Sequence, residues 1–239
     1  MKNRSTFVRS AVVSSEKVSL KLDWCSHEAA KYACEHWHYS KCMPVGKTVK
    51  IGVWENKKYI GCIIYSRGAN NNIGKPYGLL QTECVELTRV ALNKHITPVS
   101  RMLSISLKML KKQSKGVRLI VSYADMQQGH SGGIYQATNW IYTGESKLDA
   151  LIVNGKQVHR KTIYSQYGFN SIEKLKSIGL DVEWAKGMPK YKYLMPLDKE
   201  MAKQIESLRK PYPKKTRGGS VTVAQPAIQQ ERGGSIPTS

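Results

Sequence analysis

A β-hairpin signal near residue 55 constrains the fold most, because it requires a sheet with antiparallel neighbours. Residues 49–54 and 59–65 are rich in β-branched and aromatic side chains. The polar turn Glu-Asn-Lys-Lys, residues 55–58, joins them. Two such runs with a short polar link are typical of a hairpin. The chain is therefore expected to build a sheet around these two strands.

The segments after the hairpin alternate between strand and helix signals. Residues 84–92 predict a third strand, and residues 117–124 predict a short apolar strand that ends at Asp125. Between them Thr97 is a suitable helix N-cap and Pro98 a suitable first-turn residue. The order hairpin, strand, helix, strand favours an α/β fold in which helices cover a sheet.

Weaker signals continue along the chain. A helix is predicted from N-cap Ser26 to Trp37, a short one from Ile134 to Trp140, and a final one over 198–208, ended by two prolines. Asn154-Gly155 predicts a second hairpin between strands at 151–153 and 157–159, and a last strand is expected within 184–194.

Three regions follow from these patterns. Residues 1–20 are weakly patterned and predict either a frayed arm or a poorly signalled first strand. Residues 21–212 hold one main domain. Residues 213–239 are rich in Gly, Pro, Gln and Ser with basic residues, so a disordered basic tail is expected.

Charge and cysteine content restrict the partners and the compartment. The net charge is +21, from 38 Lys and Arg against 17 Asp and Glu. This excess predicts a polyanionic partner, but charge alone leaves DNA, RNA and a mere solubility surface open. The five cysteines contain no Cys-x-x-Cys pair, which excludes a zinc ribbon and a disulfide framework. With no signal peptide and no apolar run of ~20 residues, we expect a cytoplasmic protein with no membrane segment.

The start of the helix at Thr97 and the end of the strand at Asp125 are candidate binding sites. A helix N-terminus attracts phosphate, and ligands of open α/β sheets gather beyond the carboxyl ends of strands. The backbone amides of Val99, Ser100, Arg101 and Met102 are therefore expected to hold a pyrophosphate, the alternative being an ordinary capped helix.

Four polar side chains are candidates for chemistry. Asp125 follows a strand and precedes a glycine-bearing loop, a place that often presents a carboxylate, although a turn Asp is an equal alternative. Tyr135, on the next helix, is a candidate proton donor unless it only packs. His38 is a candidate ligand of iron or another transition metal together with Asp125, Tyr135 or Glu86, and His130 is a second candidate. The alternative for both histidines is a residue without metal.

The loop after the hairpin combines cations, amides and an aromatic ring. Such groups suit phosphate contacts, base-edge contacts and stacking on an extruded base, whereas an ordinary solvated loop is the alternative. The predicted DNA-binding residues are Arg67, Asn70, Asn71, Asn72, Lys75 and Tyr77.

Several motifs together carry a family resemblance over about residues 25–212. They are WHYSK at 37–41, KIGVWE at 50–55, RGANNNIGKPYG at 67–78, SYAD at 122–125 and GIYQATNWIYTG at 133–144. With these motifs the chain resembles the Mom family of phage adenine-modification proteins. Neither the Asn-Gly loop nor the Tyr-Gln-Ala-Thr-Asn-Trp block follows from generic requirements of a fold.

The resemblance implies an acyltransferase-like (GNAT-type) fold, with a mixed central sheet flanked by helices. It implies conversion of adenine N6 in double-stranded DNA to a carbamoylmethylated amine, which protects phage DNA from host restriction. In this fold acetyl-CoA or a related acyl-CoA, the small-molecule donor, enters between the splayed strands 84–92 and 117–124. Asp125 and Tyr135 fall on the family's active-site carboxylate and tyrosine, and Tyr65 and His38 also carry over. Thr-Pro-Val-Ser-Arg replaces the Gly-rich pyrophosphate loop of ordinary acyltransferases.

The product chemistry implied by the resemblance adds a metal hypothesis. Adenine N6 is a poor nucleophile, and the product joins it to a methylene carbon, whereas plain acyl transfer would give an amide. Activating such a carbon is a task for a redox metal, so an iron site with His38, Asp125 or Tyr135 is hypothesised. The adenine must also be flipped out of the duplex.

Two other functions compete with DNA modification. An ordinary N-acetyltransferase acting on a protein or small amine would turn over a thioester without DNA. A non-catalytic DNA- or RNA-binding protein would bind in a salt-sensitive manner and alter no nucleoside. A homodimer is compatible with the sequence, but no residue demands it.

Overall fold

The computed structural model describes residues 18–68, 72–146, 150–185 and 190–213. The strands are β1 Leu20–Trp24, β2 Thr48–Glu55, β3 Lys58–Ser66, β4 Cys84–Leu92, β5 Leu119–Asp125, β6 Ile141–Ser146, β7 Ala150–Val153, β8 Lys156–His159, β9 Val182–Trp184 and β10 Lys190–Pro196. The helices are α1 His27–Trp37, α2 Val99–Gln113, α3 Gly133–Gln136, α4 Arg160–Tyr167, α5 Ile172–Ser177 and α6 Lys199–Ile205.

The main sheet is mixed and has the order β1-β2-β3-β4-β5-β10-β6. Its neighbours are antiparallel except β4 and β5, which run parallel. This parallel pairing covers only the partners of Cys84, Val85 and Glu86. Because both strands continue past their last paired residues, a gap opens between Leu87–Leu92 and the end of β5. The expected mixed sheet with two splayed strands is confirmed.

Helices cover both faces of this sheet, because side chains along a strand alternate between faces. Ile63 and Tyr65 of β3 belong to the core cluster that contains Leu103 of α2. Cys62 and Ile64 belong to the cluster of α1. On β5, Leu119 and Val121 pack in the cluster of α6, whereas Ile120 faces the side of α2. The predicted α/β class, a central sheet flanked by helices, is thereby confirmed.

Local signals near the hairpin are confirmed, with one correction at α2. Asn56 and Lys57 have positive φ, so they form the tight turn between β2 and β3. Ser26 caps α1 by accepting a hydrogen bond from the Ala29 amide. The prediction that Thr97 caps α2 is wrong, because Pro98 occupies the N-cap position without a side-chain bond. Thr97 is buried, and its amide donates to Glu55 Oε1 at 2.7 Å instead.

The region after Trp140 departs most from the sequence expectations. The hairpin of β7 and β8 at Asn154-Gly155 is confirmed, but β6, α4, α5 and β9 had no prediction. The predicted helix at 134–140 is limited to Gly133–Gln136, and the last strand begins at Lys190. Helix α6 with the 3₁₀ turn after it fulfils the prediction for 198–208, and Asp198 caps it.

The predicted terminal regions fall largely outside the described residues. Residues 1–17 and 214–239 lie outside them, so the disordered tail stays a prediction. The described part of the predicted arm leads into β1, which pairs with β2 from Leu20 onward. Among the described residues, no helix combines the length and the apolar character needed to span a bilayer.

The buried carboxylate of Glu55 ties the hairpin to the start of α2. It accepts hydrogen bonds from the amides of Ile96, at 2.8 Å, and Thr97, at 2.7 Å. Replacing it by Ala leaves these donors without their acceptor. We expect Glu55→Ala to lower the free energy of unfolding by about 2–3 kcal/mol and Glu55→Gln by about half of that. Urea denaturation at pH 7 measures both values.

The same residue predicts a pH dependence. The hydrogen bonds from Thr97 and Ile96 lower the pKa of Glu55. A carboxyl with a depressed folded-state pKa contributes stability above its unfolded pKa of about 4.3 and loses it as the pH falls through the folded value. The stability difference between wild type and Glu55→Gln should therefore shrink in acid. An unchanged difference between pH 7 and pH 3 would contradict this account.

Candidate active site

A cavity of about 560 Å³ occupies the gap between the diverging strands β4 and β5. Polar side chains from several segments reach its wall, which the segments 38–39, 87–92, 123–124 and 129–135 supply in large part. The polar lining side chains include His38, Tyr39, Thr88, Arg89, His95, Tyr123, His130, Ser131 and Tyr135. The splay of the two strands thus creates the cavity, because both strands supply part of its wall.

The predicted residue His38 lies in this wall and is buried. Burial lowers the pKa of His38 to about 4, so the ring is neutral at pH 7. The Ser40 amide donates to its Nδ1 at 3.1 Å, and Ser40 Oγ lies 2.8 Å from the same nitrogen. Because a backbone N–H can only donate, Nδ1 is the unprotonated nitrogen and Nε2 carries the proton. His38 is therefore a neutral hydrogen-bond donor.

The predicted iron site does not fit this geometry. A histidine binds a metal through an unprotonated nitrogen, yet the lone pair of His38 Nδ1 already accepts from Ser40. In the described part of the chain, no three His, Cys, Asp or Glu side chains form a group that would hold a metal ion. The residues present therefore give the iron hypothesis no support.

Asp125 ends β5 directly after Tyr123 and Ala124, two residues of the cavity wall. It is 9% exposed, and its Oδ2 lies 3.3 Å from Lys190 Nζ. Its backbone carbonyl accepts from the His130 amide at 3.1 Å, which holds the following loop beside it. The structure thus brings the predicted carboxylate to the edge of the cavity.

Tyr39 lies in the cavity wall near His38 and His130 and is 46% exposed. Its ring centroid is 4.3 Å from that of His38 and 5.8 Å from that of His130. Burial of the hydroxyl raises the pKa of Tyr39, and the charges of Lys190 and Asp125 also act on it. The Tyr39 hydroxyl is therefore protonated at pH 7, and part of the ring surface is exposed at the mouth of the cavity.

Tyr135 also lies in the wall and belongs to a buried hydrogen-bond chain. Its hydroxyl is 2.8 Å from Ser122 Oγ, which is 2.9 Å from the Leu87 carbonyl oxygen. Since a carbonyl only accepts, the single proton of Ser122 goes to Leu87, and Tyr135 donates to Ser122. Burial raises the pKa of Tyr135 to about 12, which keeps the phenol neutral at pH 7. The two strands are thereby joined where their own pairing has ended.

Tyr65 is not brought together with these residues. It is fully buried, and its hydroxyl lies 2.7 Å from Ser106 Oγ on α2. It contributes to a different cavity of about 340 Å³, whose wall also contains Arg67 and Lys47. A catalytic role for Tyr65 stays a prediction, and the cavity with His38 and Tyr135 does not include it.

The start of α2 offers part of the predicted pyrophosphate site. Val99 lines the main cavity. The amides of Arg101 and Met102 donate to the Pro98 carbonyl, whereas those of Val99 and Ser100 have no backbone acceptor among the described residues. Two amides at a helix N-terminus next to a cleft between strands fit the phosphates of an acyl-CoA. Val99 and Ser100 would hold them through their backbone, and the exposed Arg101 would add a positive charge.

The predicted DNA-binding loop enters and leaves at the other end of the sheet. It joins the end of β3 to the start of β4, whereas Asp125 lies where β5 ends. Arg67, Asn72 and Lys75 are exposed, and Asn70 and Asn71 lie outside the described residues. Tyr77 is buried with Lys192 Nζ 5.1 Å from its ring centre, so its ring is not available for stacking on a base.

Several residues of the site carried no sequence prediction. Tyr39 and Arg89 line the cavity, and Lys190 pairs with Asp125. Tyr39 directly follows His38, so the motif around that histidine was an available signal. For Arg89 and Lys190 no local signal existed, because the sheet order alone places β4 and β10 on either side of β5.

Comparison with known proteins finds one matching family, a related phage protein and solved structures of similar fold. The model of the Mom protein family matches residues 19–214. The methylcarbamoylase Mom of Escherichia phage Mu is 24% identical over 217 residues, which cover 85% of this chain and 87% of that protein. A putative acetyltransferase from Acinetobacter baylyi ADP1 has a TM-score of 0.44 at 11% identity, covering 77% of this chain and 96% of its own. The AHL synthase LasI has a TM-score of 0.40 at 8% identity, covering 84% and 100%.

Proposed function

The chain belongs to the Mom protein family, and on this premise we propose that it attaches a carbamoylmethyl group to adenine N6 in double-stranded DNA. The cavity between β4 and β5 carries the proposal, because it collects Tyr39, His38 and Tyr135 next to Asp125. A related phage protein is a methylcarbamoylase. The net charge of +21 favours a nucleic acid as substrate.

The reaction requires removal of one proton from adenine. N6 carries two hydrogens before the new bond to carbon and one after it, so a base must accept the other. Asp125 is our candidate for this base, since it is a carboxylate at the cavity edge whose ion pair with Lys190 orients it. His38 cannot act through Nδ1, because that lone pair accepts from Ser40.

The neutral hydrogen-bonding side chains His38 and Tyr135 are suited to orient the substrate in the cavity. The proton on His38 Nε2 is available to a ring nitrogen or carbonyl of the substrate. Tyr135 donates its proton to Ser122, so its oxygen is left as an acceptor. Adenine presents both donors and acceptors along its edge, which matches such a mixed lining.

The donor group would lie between the splayed strands. An acyl-CoA bound there would supply an activated acyl carbon, with its phosphates at the amides of Val99 and Ser100. The pyrophosphate contacts predicted for Val99, Ser100, Arg101 and Met102 are thus narrowed to the first two amides. Plain acyl transfer from this donor would give an amide, whereas the proposed product joins N6 to a methylene carbon, which requires a further group that activates that carbon.

The target adenine must leave the duplex to reach the cavity, and Tyr39 is placed to receive it. Stacking of a base on an aromatic ring contributes about 1–3 kcal/mol. We expect Tyr39→Ala to lower kcat/KM for the DNA substrate by about 5- to 150-fold. Tyr39→Phe keeps the ring and should stay within about threefold. Steady-state kinetics with a defined duplex separates the two, and equal losses in both variants would exclude stacking.

The proposed function predicts a change in restriction sensitivity. DNA from cells expressing the protein should resist restriction enzymes whose sites contain adenine. The same DNA should be cut normally by enzymes whose sites consist of G·C pairs alone. If DNA from cells with well-expressed protein is cut normally at all of these sites, the proposal is wrong.

A further inference from the structure

The segment 150–185 forms a small module with its own core. Strands β7, β8 and β9 build a separate sheet in the order β8-β7-β9. Helices α4 and α5 pack on it, and their buried residues Ile163 and Leu175 join Leu151 and Val182 in one cluster. This cluster is distinct from the clusters of the main sheet. In the sequence the module is inserted between β6 and β10. These two strands pair with each other in the main sheet, which the module does not join.

The module is attached at the end of the sheet that carries Asp125. Lys190, the first residue of β10, pairs with Asp125 on one side and with Ser146, the last residue of β6, on the other. Four residue steps separate 146 from 150 and five separate 185 from 190, which limits these links to about 15 and 19 Å. Both ends of the module are therefore tethered close to the mouth of the cavity.

The chemistry of the module's surface suits a polyanion. Residues 150–172 contain no Asp or Glu, and Lys156 is exposed. On α4 the exposed side chains include Thr162, Tyr164 and Gln166, which are neutral and form hydrogen bonds. Cations position a protein on phosphates, and neutral side chains such as Gln and Thr can hydrogen-bond to base edges, Gln characteristically to adenine.

Helix α4 is held firmly in place. The Arg160 guanidinium lies 5.5 Å from the ring centre of Trp184 on β9 and donates to Asn170 Oδ1 at 3.1 Å. Four residues containing a glycine separate α4 from α5, a link typical of helix–turn–helix units. The exposed face of α4 is therefore presented on a fixed scaffold.

We propose that the exposed face of α4 binds the DNA duplex beside the target adenine. The inference rests on the proposed function and names a surface for its substrate in addition to the predicted loop 67–78. The loop joins strands at the far end of the sheet, whereas the module is rooted next to Asp125. A duplex held by the module lies within reach of the cavity into which its adenine must turn.

Two matched double variants of the full-length protein test this surface. Thr162→Glu/Gln166→Glu places two carboxylates on exposed positions one turn apart on α4. Ser104→Glu/Gln113→Glu makes the same chemical change at exposed positions of α2. With a fluorescent duplex containing adenine as the probe, anisotropy should show the Kd rising by about tenfold or more for the first and less than about threefold for the second. At saturating duplex, the modification rate of the Ser104→Glu/Gln113→Glu control should stay near that of the wild type.

A single variant offers an independent readout. Lys156 is exposed at the start of β8, and Lys156→Ala removes one positive charge. The slope of log Kd against log salt should fall by about one if this lysine contacts a phosphate. An unchanged slope together with equal Kd values for both double variants would overturn the inference while the wild type still modifies DNA. A wild-type protein that neither binds the duplex nor alters adenine would overturn the proposed function itself.

Discussion

Asp125→Asn should reduce the rate of adenine modification by about 100-fold or more without unfolding the protein. The side chain keeps its size and its place at the end of β5, but an amide cannot accept the proton that leaves N6. A positioned general base contributes about 10²- to 10⁴-fold, which sets the expected loss. The variant is measured in single-turnover reactions at saturating DNA, so that binding does not limit the rate.

A control separates this chemical role from loss of charge. Glu145 is exposed on β6, next to β10, and Glu145→Gln removes a carboxylate close to the same sheet end. Its rate should stay near that of the wild type. If Asp125→Asn keeps its rate as well, the proton acceptor lies elsewhere and Asp125 serves only to pair with Lys190.

Gly132→Ala should be strongly destabilising because of its position against Tyr193. Gly132 has a φ of +80° in the cavity wall, where a side chain other than hydrogen is strained. An added Cβ would overlap the ring of Tyr193, which is fully buried and donates from its hydroxyl to the Ser131 carbonyl at 2.7 Å. Strain and overpacking together are expected to lower the free energy of unfolding by about 3 kcal/mol.

The adjacent glycine is a matched control for this effect. A Cβ at Gly133 would meet no atom within 4 Å, and Gly133 opens α3. Gly133→Ala should therefore be neutral or slightly stabilising, since Ala favours a helix over Gly by up to about 1 kcal/mol. Denaturant titration of both variants decides the point. Similar stabilities of the two would show that the contact with Tyr193 is not restrictive.

The parts of the fold that depend on neighbouring residues were predictable from the sequence. The hairpin of β2 and β3 follows from alternating strand residues and a turn that tolerates positive φ at Asn56. Helix α1 follows from its cap at Ser26. In both cases the signal and the structure it specifies lie within one segment, so distant contacts were not required.

The helices of the inserted module were not predictable in the same way. Helix α4 is short and largely polar, and Ile163 is the one fully buried residue among those of its side chains that the structure describes. It is stabilised by packing on β7 and β9 and by the contacts of Arg160, which join residues far apart in sequence. Such contacts leave no periodic pattern in the sequence.

In the candidate site, too, local sequence identified some residues, whereas the surroundings of others depend on contacts between distant segments. Asp125 and His38 were identified by their local motifs; His38 lines the cavity, and Asp125 directly follows the lining residues Tyr123 and Ala124. Tyr65 and Tyr135 were both predicted as active-site tyrosines from the family resemblance, yet one faces Ser106 on α2 and the other lies in the cavity wall. Which face a residue occupies depends on the sheet order, so the sequence motif alone did not separate them. The buried Tyr77 illustrates the same point for the predicted DNA-binding loop.

Mass spectrometry of nucleosides digested from the DNA of expressing cells shows whether the protein modifies adenine. The wild type should yield a deoxyadenosine that carries a carbamoylmethyl group, and the Asp125→Asn variant, expressed at the same level, should yield little or none. Deoxyadenosine of unchanged mass from cells that contain folded wild-type protein would contradict the account.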